Sequence, residues 1–214
     1  AGFEYTQDDL TDKMTGYDRL LKQHTNTASL FAQNEWKNSR WGFLIGARLD
    51  KHNLIDHIIF SPRANLRFNP IDDINIRLSY SSGFRAPQAY DEDLHITAVG
   101  GEGVLIQLAE GLKPEHSNSF SGSVDWATNF GHWSANFLAE GFYTDLRNVF
   151  VLENIGVDAA GNALQERRNG SGARVYGVNL DAKIAHGKEI ALQAGFTYQQ
   201  SRYKEMEVWS ENPL

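Results

Sequence analysis

There is no cysteine among the 214 residues, which removes disulfide bridges and thiolate metal ligands from consideration. Also missing is any run near the roughly 18 consecutive apolar residues that a spanning helix needs, so a helical membrane protein is excluded. Lysine and arginine form no cluster, and with a formal net charge of −7 this weighs against nucleic-acid binding. The opening residues Ala1-Gly2-Phe3-Glu4-Tyr5 have neither the basic n-region nor the apolar h-region of a secretory leader, so either a leader has been removed or the chain is an excised piece of a longer protein, and we expect the piece. No serine lies in a Gly-x-Ser-x-Gly turn, and Gly170-Ser171-Gly172 reads as a loop. Hydrophobic residues make up 41% at a mean hydropathy of −0.45. That composition suits a soluble domain, and equally a membrane barrel in which only alternate residues meet lipid.

What the chain does have is alternation. Tyr176, Val178, Leu180, Ala182 and Ile184 are separated by Gly177, Asn179, Asp181 and Lys183. Ile190, Leu192, Ala194, Phe196 and Tyr198 repeat the pattern against Ala191, Gln193, Gly195 and Thr197. A period of two sends one set of side chains to each face of a strand. The same reading gives about eight strands: Thr25 to Trp36, Trp41 to Leu49, Arg63 to Asn69, Ile74 to Ser81, Ser119 to Trp126, Trp133 to Tyr143, and the two just quoted. The predicted fold class is all-β, with antiparallel up-and-down strands.

The links between strands alternate in length. Trp36 to Arg40, Asn69 to Asp73, Ala127 to His132 and Ala185 to Lys188 are tight turns. Asp50 to Phe60, Gly83 to Glu115 and Leu152 to Ala173 are long, and the last two exceed ordinary loop lengths. Outer-membrane barrels have this asymmetry, with short periplasmic turns and long outside loops. Aromatics follow it: Trp36, Trp41, Phe68, Trp126, Phe130 and Trp133 sit beside the short turns, while Tyr80, Tyr143, Tyr198 and Tyr203 gather near the long links. Two such belts suit the two membrane interfaces. A soluble antiparallel sandwich, acting as a β-rich binding module or adhesin, accounts for the alternation but not for the belts or the loop asymmetry.

Several motifs then carry a resemblance. Ser61-Pro62-Arg63 opens a strand, Asn69-Pro70 turns, Ser79-Tyr80 ends the next strand, and Gly83-Phe84-Arg85-Ala86-Pro87 leads into an acidic-apolar run reaching Ile96. Leu112-Lys113-Pro114-Glu115 opens a later strand, and Asn169 through Asp181 contains Gly172, Gly177, Val178 and Asn179. Together these resemble the barrel of TonB-dependent outer-membrane receptors, especially the Bacteroidetes type. The resemblance implies that residues 1–214 form part of a transmembrane β-barrel of about 22 strands, taken from its middle, with the plug and the remaining strands outside this chain. It further implies a bacterial outer-membrane location and energy-coupled uptake of a ferric siderophore, cobalamin, haem or glycan. The partners implied are outer-membrane lipid, the plug domain and TonB through the full-length receptor, and a small nutrient ligand. No cofactor and no nucleic-acid partner is implied.

Candidate site residues fall in two groups. In the long link from Gly83, Arg85 and the cluster Asp91, Glu92, Asp93 and His95 could contact a cation or a basic ligand group. Alternatively, Asp91 and Glu92 pair with Arg85 in a solvated loop. A short helix from Ala86 to His95 is predicted, with Pro87 in its first turn. The Gly100-Gly101-Glu102-Gly103 stretch reads as a hinge rather than a phosphate loop. On the polar face, Arg63, Arg67, Arg77, Asp125, Glu140, Asp181 and Lys183 would line the lumen, contacting plug or substrate, or else would form ion pairs between strands. The histidines His52, His57, His95 and His116 lack the spacing of a preformed zinc site and read as surface residues. An outer-membrane enzyme such as a phospholipase or protease would have to use His52 with Asp56 or Asp93 with His95, and we expect no enzyme. One observation separates barrel from sandwich: Phe43, Leu78, Phe137, Val178, Leu192 and Phe196 form an outward apolar band in the first and converge in a core in the second.

Overall fold

The computed structural model describes residues 1–17, 19–90, 104–159 and 161–205. Its strands are β1 (Gly2–Met14), β2 (Arg19–Lys37), β3 (Trp41–His52), β4 (Ile59–Phe68), β5 (Ile74–Arg85), β6 (Val104–Leu108), β7 (Glu115–Phe130), β8 (Trp133–Arg147), β9 (Phe150–Val157), β10 (Ala163–Asn169), β11 (Ala173–His186) and β12 (Ile190–Tyr203). One turn of 3-10 helix, Thr15–Tyr17, links β1 to β2. Nine strands make a single antiparallel sheet in the order β1-β2-β3-β4-β5-β7-β8-β11-β12, and β6-β10-β9 form a second, smaller one. The alternating segments correspond to β2, β3, β4, β5, β7, β8, β11 and β12. Four strands carried too little alternation to be anticipated. β1 and the extended start of β2 are mostly polar beyond Tyr5, and β6, β9 and β10 lie within links that had been expected to be plain loops.

Cross-strand partners share a face, so the register sorts every side chain. One row across the sheet runs Phe43, Leu66, Leu78, Gly122, Gly141, Val178, Tyr198. The next row toward the long links is Tyr80, Phe120, Tyr143, Tyr176. The six diagnostic residues are all exposed: Phe43 42%, Leu78 53%, Phe137 38%, Val178 42%, Leu192 68% and Phe196 59%. Leaving side chains of this size in water forgoes about 1.5–3 kcal/mol apiece. A continuous band of them is stable against lipid, and among the described residues no second sheet covers these side chains. The sandwich is thereby excluded.

Strand length agrees with a bilayer. A tilted spanning strand needs about 9–11 residues, whereas β7, β8, β11 and β12 have 16, 15, 14 and 14. Much of the surplus extends beyond the tyrosine row, at the end with the long links. At the opposite end the short turns hydrogen-bond sideways: Asn69 N to Arg40 O at 2.8 Å, Ala127 N to Asp73 O at 2.9 Å and Gly187 N to His132 O at 2.9 Å. Asn38 holds the tightest of them, its side-chain oxygen accepting from the amides of Arg40 and Trp41. The aromatic belt there is stacked, with Trp41 against Phe68 at 4.1 Å and Trp126 against Phe137 at 5.6 Å.

The buried apolar cluster lies not under the sheet but in the links, where Ile55, Ile59 and Ala86 pack with Phe84. The helix predicted from Ala86 does not begin, since 86–90 is irregular. Side chains of β2 and β3 hold this segment in place of helical bonds: Gln23 accepts from the Ala89 amide at 2.6 Å and donates to the Ala89 carbonyl at 3.3 Å, and Gln88 bonds His52. The rest of that prediction, and the Gly100–Gly103 hinge, lie outside the described residues.

Two glycines of the Asn169–Asp181 segment have steric reasons. Gly172 takes φ +115°, and a Cβ there would sit 2.3 Å from the Leu146 carbonyl oxygen. At Gly177 a Cβ would meet the Tyr198 carbonyl oxygen at 2.2 Å and the Phe142 ring at 2.8 Å. Replacing Gly177 by alanine is expected to destabilise the folded sheet by about 1–3 kcal/mol through overpacking. Gly141→Ala, whose Cβ meets nothing within 4 Å, should stay within about 0.5 kcal/mol. Urea titration in detergent, followed by tryptophan fluorescence, reads both, and equal midpoints would refute the close-approach account.

Candidate functional site

The polar face is continuous. Arg63 and Arg67 on β4, Arg77 on β5, Asp125 on β7, Glu140 on β8, and Asp181 and Lys183 on β11 all fall on it by register, opposite the apolar band. Glycines on β3 make room for the arginines. The Arg67 Nε lies 3.3 Å from where a Cβ on Gly42 would be, and the Arg63 Nε 3.3 Å from one on Gly46. These guanidinium stems therefore lie across the neighbouring strand. Arg67 is directly opposite Arg77, an arrangement of like charge that is destabilising by itself, and Glu35 of β2 lines the same recess as the two arginines.

Two of the three carboxylates, Asp125 and Glu140, are held by amides rather than by the ion pairs anticipated between strands. Asn136 donates to Asp125 at 2.5 Å, and Asn179 donates to Glu140 at 3.0 Å while accepting from Thr197 at 3.0 Å. Among the described residues, none of the seven takes part in an ion pair. Where ion pairing does occur on this face, it is nearer the long links. Arg48 bonds Asp50 at 2.7 Å, Ser29 at 2.7 Å and Glu4 at 3.1 Å, and Ser29 donates to Asp50 at 2.6 Å. Ser29 and Asp50 are buried. Their place follows from the polar parity of β2 and β3.

A second cluster stands at the mouth. β6 pairs in parallel with β10, and β10 antiparallel with β9, so the 86–114 and 148–172 links join in one small sheet. Asn169 staples its base, accepting from the Lys113 amide at 2.7 Å and donating to the carbonyls of Lys113 and Asn148. Arg85 stacks over Tyr90 at 3.8 Å and lies 5.6 Å from the Phe150 ring centre, and buried Arg167 approaches the same two rings at 5.9 and 5.8 Å. Arg85 comes within 3.8 Å of Glu115, whose carboxylate also accepts from the Phe150 amide. Two guanidinium groups over two aromatic rings, with one carboxylate, can hold a flat or anionic ligand group. Burial pushes the Tyr90 hydroxyl above the usual phenol range, against the pull of Arg85. Asp91, Glu92, Asp93 and His95, and with them the pairing of Arg85 with Asp91 or Glu92, lie outside the described residues. Tyr90, Phe150 and Arg167 carried no motif and meet only through the topology.

His52 corrects the surface-histidine assignment. It is buried at 3% exposure, because its polar-face position lies under the 86–90 segment. Its Nδ1 accepts from the Leu54 amide at 3.1 Å, which leaves Nε2 to donate to the Gln88 side-chain oxygen at 3.2 Å. It is not joined to Asp56, whose carbonyl instead accepts from Lys51. Among the described residues no group of three His, Asp or Glu side chains could hold a metal.

An open sheet with a lipid-facing band, a polar inner face and a loop-built mouth defines a section of transmembrane β-barrel wall. Residues 1–214 match the family described as TonB dependent receptor-like, beta-barrel, and the chain belongs to that family. It is a receptor family rather than a class of enzyme. The chain is 25% identical over 162 residues to a probable hemoglobin and hemoglobin-haptoglobin-binding protein 3 of Haemophilus influenzae, covering 70% of this chain and 14% of that protein. Its fold is shared with the siderophore receptor PirA of Pseudomonas aeruginosa (TM-score 0.76, 19% identity, 93% of this chain and 38% of that one). It is shared too with the FrpB iron transporter of Neisseria meningitidis (TM-score 0.64, 17% identity, 86% and 27%). The chain thus spans well under half the length of each of these proteins.

Burial holds His52 below its usual range near 6.5. The unfolded chain then binds the extra proton, so this contribution to stability is complete above about pH 6.5 and is lost as pH falls below it. The Leu54 amide should lose hydrogen-exchange protection between pH 7 and pH 5, after correction for intrinsic rates, and His52→Gln should flatten that change. Identical protection at both pH values would contradict the neutral, buried histidine.

Proposed function

We propose that the chain supplies lumen wall and three outside loops of a TonB-dependent receptor in the bacterial outer membrane, one that takes up an anionic iron-bearing nutrient. The observation that carries this reading is the division of a single sheet into a lipid-facing apolar face and an arginine-bearing polar face. Arg63, Arg67, Arg77, Asp125, Glu140, Asp181 and Lys183 would line the lumen, where the opposed Arg67 and Arg77 favour a plug carboxylate or a passing anion. Arg85 and Arg167, with Tyr90 and Phe150, would meet the ligand at the mouth. Asp91, Glu92, Asp93 and His95 remain candidates for a cation or basic group of that ligand.

Of ferric siderophore, cobalamin, haem and glycan, the cationic wall and mouth favour the first and third, which carry negative charge. The iron-linked names of the compared relatives point the same way. TonB, acting on the plug of the full-length receptor, would supply the energy. The Bacteroidetes-type assignment rests on the motifs alone, since these relatives come from Haemophilus, Pseudomonas and Neisseria.

Binding and radio-iron uptake test the proposal. Purified full-length protein is expected to bind haemin or a ferric catecholate, and cells are expected to take it up only with TonB and a proton gradient. Exchanging Arg85 and Arg167 together for glutamine should weaken binding about a hundredfold or more, since each charge-assisted hydrogen bond contributes about 1.5–3 kcal/mol. Unchanged uptake in cells lacking the protein, with no binding of haemin or of a ferric catecholate, would sink the reading.

A further inference from the structure

The row of outward-facing positions just beyond the tyrosine row runs Asn118, Asp145, Arg174, Arg202. Arg147 stands one position pair further out on the same face of β8. Asp145 gathers three cations: Lys204 Nζ at 2.8 Å, Arg147 Nε at 3.3 Å and Arg174 Nε at 3.7 Å. Arg147 and Arg174 nonetheless remain 66% and 57% exposed at the side chain, and Arg202 is exposed beside them. Three cations therefore contact one carboxylate, with Arg202 as a fourth cation on the same row, on the face that meets lipid lower down.

Immediately below, the apolar surface is dented. Gly122 on β7 and Gly141 on β8 are direct cross-strand partners, so the middle of the Phe43–Tyr198 row has no side chains. A shallow groove of about 720 Å³ results, walled by Leu78 and Val178 and roofed by Phe120, Tyr143 and Tyr176. At Gly141 nothing lies within 4 Å of where a Cβ would be. Cations stand above the aromatic belt and an apolar channel runs beneath it. The order is that of an anionic lipid, headgroup outermost and acyl chain inward.

We infer that this outward face is a seat for a phosphate-bearing anionic lipid of the outer leaflet, its phosphate held by Arg174, Arg202, Arg147 and Lys204 and one acyl chain laid over Gly122 and Gly141. The inference rests on the membrane-barrel reading and concerns the opposite face from the nutrient path. Charge complementarity selects the headgroup, and the glycine pair sets where the chain lies. Asp145 positions the cations and leaves the cluster with a net positive charge for the phosphate.

Native mass spectrometry of the full-length protein in detergent tests it, with dioleoyl phosphatidic acid and dioleoyl phosphatidylcholine as probes of equal acyl content. Wild-type protein should retain phosphatidic acid about tenfold over phosphatidylcholine. The double variant Arg174→Gln with Arg202→Gln should bring that ratio near one, whereas a charge-matched pair at the other end, Lys37→Gln with Lys188→Gln, should leave it unchanged. Gly141→Leu, which fills the groove, should lower phosphatidic acid retention about fivefold while keeping its folded, heat-resistant gel mobility. Equal retention of the two lipids by wild type overturns the inference, as does an undiminished ratio in the arginine variant. Complete displacement by millimolar inorganic phosphate also overturns it, by showing a free-anion site with no lipid contribution. A protein that inserts into vesicles but does not discriminate overturns this inference alone, and one that fails to insert overturns the membrane reading as well.

Discussion

Every backbone N–H and C=O that enters a bilayer must find its partner within the protein, because the hydrocarbon offers none. The nine-stranded ladder is this chain's answer to that demand, and the rest of the molecule follows from it. Once the ladder satisfies the backbone, side chains divide by parity alone, and a period of two separates lipid from lumen. The lipid face then needs no covering layer. That is why large apolar side chains such as Leu78, Leu192 and Phe196 stand exposed while the buried apolar cluster of Ile55, Ile59 and Ala86 is small and peripheral. The inner face, freed from packing, can carry arginines laid over glycines of the next strand, as Arg63 and Arg67 are.

The two ends of the sheet differ because they do different work. The short turns bond to one another edgewise and close one end with few residues. At the other end the strands outrun the membrane, and their surplus length supports links that organise among themselves. The parallel pairing of β6 with β10 joins two links far apart in sequence, and Asn169 ties that small sheet to the backbone at Lys113 and Asn148. Rigid support of this kind brings Arg85, Tyr90, Phe150 and Arg167 together over the polar face. Aromatic rings and guanidinium groups there are close enough for a ligand to meet several at once.

On the outside of the wall, the same ladder that sorts lumen from lipid also sets the height of each row. Asp145, Arg174 and Arg202 fall on one rung, and the aromatic side chains Phe120, Tyr143 and Tyr176 on the rung below. Charge above, aromatic belt between and a glycine-floored groove beneath follow from register and cannot be moved independently. A change of one residue in pairing would send all of them to the lumen.

What the sequence by itself determined is what depends on local period and composition. Alternation is a property of neighbours in the chain, so the eight strongly patterned strands, their two faces, the contrast between short and long links and the aromatic belts were all legible. The family motifs were legible as local strings, although the close approaches that Gly172 and Gly177 answer to come from β8 and β12. The tertiary structure alone decided what depends on residues far apart in the chain. The polar strand β1 is held by pairing with β2, not by any pattern of its own. The link strands exist because 104–108 meets 163–167, and no local signal encodes a parallel pairing between two loops. The segment from Ala86 gave up its helix because Gln23 and His52, dozens of residues away, offered its backbone and side chains other partners. His52 itself looks like a surface histidine in sequence and is buried only because that segment lies over it. Periodicity chooses the face of a residue, and long-range contact chooses its company.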